Sequence, residues 1–201
     1  MLVVIGFGTL QLFNRGKGST HETADPIRLS SGTLIPNPHP MQPFHLIDHN
    51  GKPFSNESIK GAWHLLSFGY THCPDVCPTT LAMLARLADQ LRKTSTRGAI
   101  KTAFVTIDPA RDTQPVLAKY VPYFDSAFLG VTGEPRELDK LTRQLGVLYA
   151  RVENEKSDMG YLMDHSTSII LTNPQGQFQA LFSAPHDVVA MAQDLEKIRN
   201  P

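Results

Sequence analysis

Apolar and polar positions divide the chain into three stretches. Met1–Phe13 (MLVVIGFGTLQLF) is almost wholly apolar. Residues 14–42 show no sustained period and carry Pro26, Pro36, Pro38 and Pro40, which reads as a linker. From residue 43 to 201, short apolar runs alternate with stretches of helical period, the mark of one folded domain. Phe44–Asp48 alternates as a strand does. His49-Asn50-Gly51 then turns it into a short strand at Lys52–Ser55, Asn-Gly being a strong hairpin signal. Trp63–Phe68 predicts a buried strand. Pro78–Arg92 predicts a helix with Leu81, Leu84, Leu87, Ala88 and Leu91 on one face.

Further strands are expected at Ile100–Ile107, Phe128–Val131 and Val147–Val152. Helices are expected at Gln114–Tyr123, with Pro115 in the first turn, and at Glu134–Leu145, closed by Gly146. Glu153–Tyr161 reads as a polar loop. Ser168–Leu171 and Phe178–Phe182 form a last strand pair, and His186–Ile198 a final helix. Strands alternating with helices predict an α/β domain: a mixed sheet with helices on both faces and an added N-terminal β-hairpin.

Composition narrows the function classes. Of 201 residues, 41% are hydrophobic, enough for one packed core. Nineteen basic residues balance nineteen acidic ones, so there is no electrostatic footprint for nucleic acid. The first 13 residues fall short of the roughly 20 that span a bilayer. No basic region precedes them, so they read as the end of an export signal or membrane anchor.

The chain has two cysteines, Cys73 and Cys77. That excludes a disulfide-dense scaffold and a four-cysteine metal site within the chain. They stand in Phe68-Gly69-Tyr70-Thr71-His72-Cys73-Pro74-Asp75-Val76-Cys77-Pro78, after a strand and at the opening of a helix. Pro74 and Pro78 bias the cysteines away from the helical region, and Pro78 suits a first helical position. Backbone N–H groups and the positive end of the helix favour thiolate there. A cysteine pair after a βα junction points to the thioredoxin-like class.

Four readings of the pair compete. Buried structural cysteines fit poorly in so polar a loop. A structural disulfide closing so short a loop would add only about 2 kcal/mol. A thioredoxin-type redox pair has two intervening residues, whereas three stand here. The extra residue widens the reach between the sulfurs, which suits a shared metal.

Two thiolates seldom complete a metal site. Among the histidines, His21 and His39 lie in the linker, His45 and His49 flank a hairpin turn, and His186 opens the last helix. His64 reads as a packed strand residue, and His72 adjoins Cys73 too closely in sequence to share its centre. His165, in Tyr161-Leu162-Met163-Asp164-His165-Ser166, sits at the entry to a strand, on a loop that faces the cysteine turn in a thioredoxin-like fold. Two thiolates and an imidazole favour copper, above all Cu(I). Zinc stays chemically allowed but wants a fourth ligand. Met83, Met159 and Met163 offer further soft donors. Met83 reads as core filler.

Three motifs together, Gly69–Pro78, Thr106-Ile107-Asp108-Pro109-Ala110-Arg111-Asp112-Thr113 and Asp164-His165-Ser166, resemble the Sco/SenC copper chaperones of cytochrome c oxidase assembly. The resemblance covers about Pro43 to Ile198. It implies a thioredoxin-like, membrane-tethered domain facing the periplasm or another extracytoplasmic space. It implies one copper, as Cu(I) or Cu(II), held by Cys73, Cys77 and His165. It also implies that copper goes to the dinuclear site of cytochrome c oxidase subunit II, other copper carriers being further partners.

The alternative is a thiol–disulfide oxidoreductase that reduces the cysteines of that site, with Cys73 and Cys77 as the redox pair. The absence of proline between Gly160 and Thr172, where such enzymes place one beside the cysteines, tilts the reading toward metal. A peroxide-reducing thiol enzyme fits the cysteine spacing poorly. In the middle motif, Asp112 or Thr113 is expected to cap the next helix, and Arg111 to pair with Asp108 or Asp112. A role beside the metal is the competing reading. Asp164 is a candidate to orient His165.

Overall fold

The computed structural model describes residues 27–94, 99–153 and 160–200. The apolar stretch Met1–Phe13, His21 and Met159 lie outside the described residues. Central strands β4 (His64–Gly69), β5 (Lys101–Thr106) and β6 (Leu129–Thr132) run parallel, β5 in the middle. On one side, β9 (Ile169–Thr172) and β10 (Phe178–Phe182) continue the sheet antiparallel, and β1 (Gly32–Leu34) closes that edge. On the other, β2 (His45–Asp48) pairs with β6 and with β3 (Pro53–Ser55), which forms the expected added hairpin. Every residue of β4 and β9 is buried, so both faces of the mixed sheet are covered.

Among the described residues, four α-helices accompany these strands: α1 (Val76–Thr94), α2 (Gln114–Tyr120), α3 (Pro135–Gln144) and α4 (Val188–Arg199). Leu81, Leu84, Leu87 and Leu91 line the buried face of α1, at the helical period seen in the sequence, and α1 packs against α4. Leu117 and Val121 of α2 and the 3-10 turn after it lie over Gly130 of β6. Among the described residues, no helix is long and apolar enough to cross a membrane.

Two features depart from the sequence reading. Part of the stretch read as linker is built into the sheet as β1. Its three residues carry no alternation to read, and tertiary bonds define it instead. The buried Asp194 carboxylate on α4 accepts the backbone N–H groups of Ser30, Ser31 and Gly32 and the hydroxyls of Ser30 and Ser31. Burial opposes its charge, yet these bonds hold its pKa down to about 2.

The second departure is a separate antiparallel ribbon of β7 (Tyr149–Glu153) and β8 (Tyr161–His165). The end of the expected polar loop and the approach to the next strand are strand β8, and His165 ends it instead of lying on a loop. The expected strand Val147–Val152 corresponds to β7, whereas β8, half-buried or exposed throughout, carries no buried-face pattern to mark it. Residues 154–159, the rest of that loop, lie outside the described residues.

Candidate metal centre

The centre forms where β4 gives way to α1. Gly69 ends β4, and Tyr70–Asp75 turn the chain into the helix. The helix begins at Val76, two residues before the expected Pro78. Proline fits this early because the first turn needs no N–H from it. Cys77 thus lies in the first turn of α1. Its backbone N–H points to Cys73 Sγ at 3.4 Å, and the Cys73 N–H bonds the Tyr70 carbonyl at 3.2 Å. The Cys77 sulfur packs onto the backbone of Gly69, where an added Cβ would stand 2.6 Å from it.

β8 brings the third donor. Cys77 Sγ is 3.5 Å from His165 Nε2, and one ligand atom from each of Cys73, Cys77 and His165 lies within 4.8 Å of the others. Among the described residues this is the one such group of three or more metal-ligating side chains. His165 Nδ1 lies 2.9 Å from the Ser166 carbonyl, so Nδ1 takes the proton and leaves Nε2 a lone pair facing the sulfurs. That carbonyl, rather than the exposed Asp164, orients the ring. The His165 ring also meets Tyr70 edge-on, with centroids 6.2 Å apart.

The two sulfurs differ in charge and exposure. The hydrogen bond from Cys77 draws the Cys73 thiol down to about pKa 3 against the cost of burial, with help from His165. Cys77 is pushed up by holding the shared proton toward Cys73 and by burial. For His165, burial lowers the pKa, but the neighbouring Cys73 and the Ser166 carbonyl outweigh it and raise the value. Cys77 is 3% exposed, whereas Cys73 is half-buried. Cys73 and His165 line an open cleft of about 460 Å³ with Pro74, Val76, Val152 and Met163, and Cys77 is not in its wall.

A polar network lies behind the cysteine turn. The Asp112 carboxylate accepts the Thr71 N–H at 2.9 Å and the Thr71 and Thr106 hydroxyls, each at 2.6 Å. It is fully buried, and burial raises its pKa. Asp112 therefore braces the cysteine turn and does not cap α2. Thr113 is the N-cap residue, but its side chain makes no capping bond. Arg111 pairs with Asp108, one of its two expected partners.

The other histidines stand elsewhere. His64 is buried in β4, and His49 Nδ1 accepts the Gly130 N–H at 2.8 Å. His186, half-buried and not at the surface, reaches the Thr167 carbonyl at 3.0 Å. His72 bonds Thr71 Oγ1 at 3.1 Å and faces Asp112. Met83 is core, and Met163 lines the cleft.

A family model described as SCO1/SenC matches residues 33–200. The chain belongs to the SCO1/SenC family. A relative named "Putative copper-binding protein" from Stutzerimonas stutzeri is 36% identical over 165 residues, which cover 82% of this chain and 79% of that one. "Protein SCO1 homolog 1, mitochondrial" from Arabidopsis thaliana is 36% identical over 155 residues, 77% of this chain, and the match spans 46% of that longer protein. Among solved structures, Arabidopsis thaliana ScoI with copper bound superposes with a TM-score of 0.75 at 34% identity. That match covers 81% of this chain and 100% of the other. The SCO1/SenC fold of this chain is the expected thioredoxin-like α/β class.

Within this SCO1/SenC chain, sequence reasoning passed over Gly69 and Tyr70, and it set a role for Asp112 beside the metal second to a helix cap. Gly69 could have been flagged, since a glycine closing a strand that reads as buried often marks a close approach. Asp112 and Tyr70 act through contacts across the fold, which no local signal reveals.

Proposed function

We propose that the chain is a copper carrier that holds one copper ion through Cys73, Cys77 and His165. We also propose that it serves the assembly of cytochrome c oxidase by supplying the dinuclear copper site of subunit II. The observation behind this reading is the convergence of two sulfurs and one imidazole nitrogen within 4.8 Å. Two soft thiolates suit Cu(I), and the imidazole adds the nitrogen donor that Cu(II) demands. Cys73 is already poised as thiolate, so binding costs one proton fewer. The open cleft beside Cys73 and His165 gives cargo a way in and out. On this reading Met1–Phe13 belongs to a membrane tether or export signal, and the domain faces the extracytoplasmic space.

The same thiolate supports a second role as reductant of the receiving cysteines. Cys73 thiolate attacks a sulfur of the partner's disulfide, forming a mixed disulfide and releasing one partner thiolate. Cys77 then gives up its proton and attacks Cys73 Sγ, releasing the second. Two electrons pass to the partner, and a Cys73–Cys77 disulfide remains.

Copper titration of the full reduced chain, followed by elemental analysis, tests the primary reading. One copper per chain is expected for the wild type, and loss of tight binding in Cys73→Ser and Cys77→Ser. Unchanged copper retention in Cys77→Ser overturns the assignment.

A further inference from the structure

We infer that Arg111 is a positioning residue for the metal centre, fixing the His165-bearing ribbon over the cysteine turn. Its functional meaning rests on the copper-carrier reading, and its mechanism on geometry.

The centre is assembled from two bodies. Cys73 and Cys77 are joined to the main sheet through β4. His165 ends β8, which among the described residues pairs with β7 and with no strand of that sheet, before the chain enters β9 at Ile169. The spacing between imidazole and sulfurs therefore depends on the short 166–168 link into β9 and on whatever holds the ribbon to the βα turn.

Arg111 touches both bodies. Its Nη1 donates to the Tyr161 carbonyl at the start of β8, at 3.0 Å. Its guanidinium carbon lies 3.6 Å from the centroid of the Tyr161 ring and 5.6 Å from that of Tyr70. Tyr70 is the residue whose carbonyl receives the Cys73 N–H and whose ring meets His165. A planar guanidinium can stack and donate in its plane at once, which an ammonium cannot.

The grip has a fixed base. Arg111 Nε donates to Asp108, and the Tyr161 hydroxyl donates to the other oxygen of the same carboxylate at 2.8 Å. Asp108 is buried, and its N–H bonds Thr106 Oγ1 at 2.9 Å. One residue beyond Arg111, Asp112 holds Thr71. The 108–112 loop thus binds the cysteine turn with one end and the start of the histidine strand with the other. At the His165 end of the ribbon, Tyr149, the ladder partner of His165, donates its hydroxyl to Asp139. That contact anchors the ribbon without reaching the cysteines. Arg151 also stacks on Tyr161, at 3.9 Å, but it is exposed and no contact joins it to Tyr70.

The test compares Arg111→Ala, Arg111→Lys and Tyr161→Phe with Arg92→Ala, a surface control that loses an ion pair to Asp125. In the reduced, metal-free full chain, the His165 imidazole nitrogen shifts are read by NMR. Cu(I) and Cu(II) affinities and the Cu(II) nitrogen hyperfine signal follow. Arg111→Ala is expected to move the imidazole shifts and to weaken Cu(II) by about 10- to 100-fold, the usual cost of losing an outer support of a metal ligand. Cu(I), which two thiolates hold, changes far less. Arg111→Lys recovers part of the loss, Tyr161→Phe shows a smaller version, and Arg92→Ala shows none.

Unmoved imidazole shifts with a wild-type Cu(II) signal in Arg111→Ala, even with a lowered Tm, overturn the inference. If Arg111→Ala does not fold, Arg111→Lys and Tyr161→Phe decide by the same criteria. Wild-type protein that takes up no copper defeats the carrier reading alone, because the metal-free imidazole shifts still report on positioning.

Discussion

Cys77 Sγ and His165 Nε2 stand 3.5 Å apart although 88 positions separate them in the chain. The first is fixed by the opening turn of α1 and the second by the end of a ribbon outside the main sheet. Replacing His165 should therefore alter the third donor and leave the sulfur pair in place. His165→Ala is expected to lower Cu(II) affinity by at least about tenfold and Cu(I) affinity much less, since linear dithiolate coordination satisfies Cu(I). Folding should persist. Competition titrations with Cu(I) and Cu(II) chelators check this, and equal losses for both ions would contradict it.

Gly69 gives the sharpest steric prediction. An alanine Cβ at this position would lie 2.6 Å from Cys77 Sγ and 2.9 Å from the Phe104 ring. Both neighbours are buried and have nowhere to retreat. Gly69→Ala should cost about 1–3 kcal/mol of stability through overpacking. It should also displace the Cys77 sulfur and weaken copper. Denaturant melts and copper titration measure the two effects. A variant with wild-type values in both would show that the sulfur does not need this space.

The middle motif shows how far local sequence can be read. The cysteine pair, the βα turn and the helical face of α1 were legible because each is a local pattern of spacing or period. His165 was singled out among the histidines, but its setting was misread. The strand that carries it, β8, is half-buried or exposed throughout, and without a buried face the alternation that reveals strands is missing. Asp112 resembled a helix cap because caps and buried braces use the same residue at the same kind of junction. Only the fold shows that its carboxylate turns back to Thr71, 41 positions away. For β1, the deciding partner is Asp194 on the last helix, at a separation no short-range signal spans.

Acid should destabilise the domain through His64. Burial lowers its pKa from 6.5 to about 4, so the folded state keeps it neutral where the unfolded chain takes up a proton. This contribution is fully present above pH 6.5 and is lost as the pH falls through about 4. It amounts to roughly 3 kcal/mol, each tenfold difference in proton affinity between the two states being worth about 1.4 kcal/mol. Urea melts between pH 7 and 4 should show the decline, and NMR titration of the His64 ring should place its midpoint near 4. A midpoint at the ordinary histidine value would refute the assignment.

Oxidation and copper should exclude one another. Forming a Cys73–Cys77 disulfide consumes both thiolates, releases two electrons to an added oxidant and leaves one imidazole as donor. Fully oxidised protein, verified by alkylation to contain no free thiol, is expected to lose tight Cu(I) binding. Reduction with a phosphine should restore it. Tight binding by the oxidised form would place the ligands elsewhere.

The unequal exposure of the two sulfurs imposes an order on exchange. Cys77 is buried against Gly69, while Cys73 and His165 face the cleft. An incoming thiolate can approach a copper ion held as proposed only from the Cys73 and His165 side. Cys73 and His165 would then be exchanged first and Cys77 last. On the carrier reading, hand-over would be a stepwise substitution in which Cys77 is the last donor to let go.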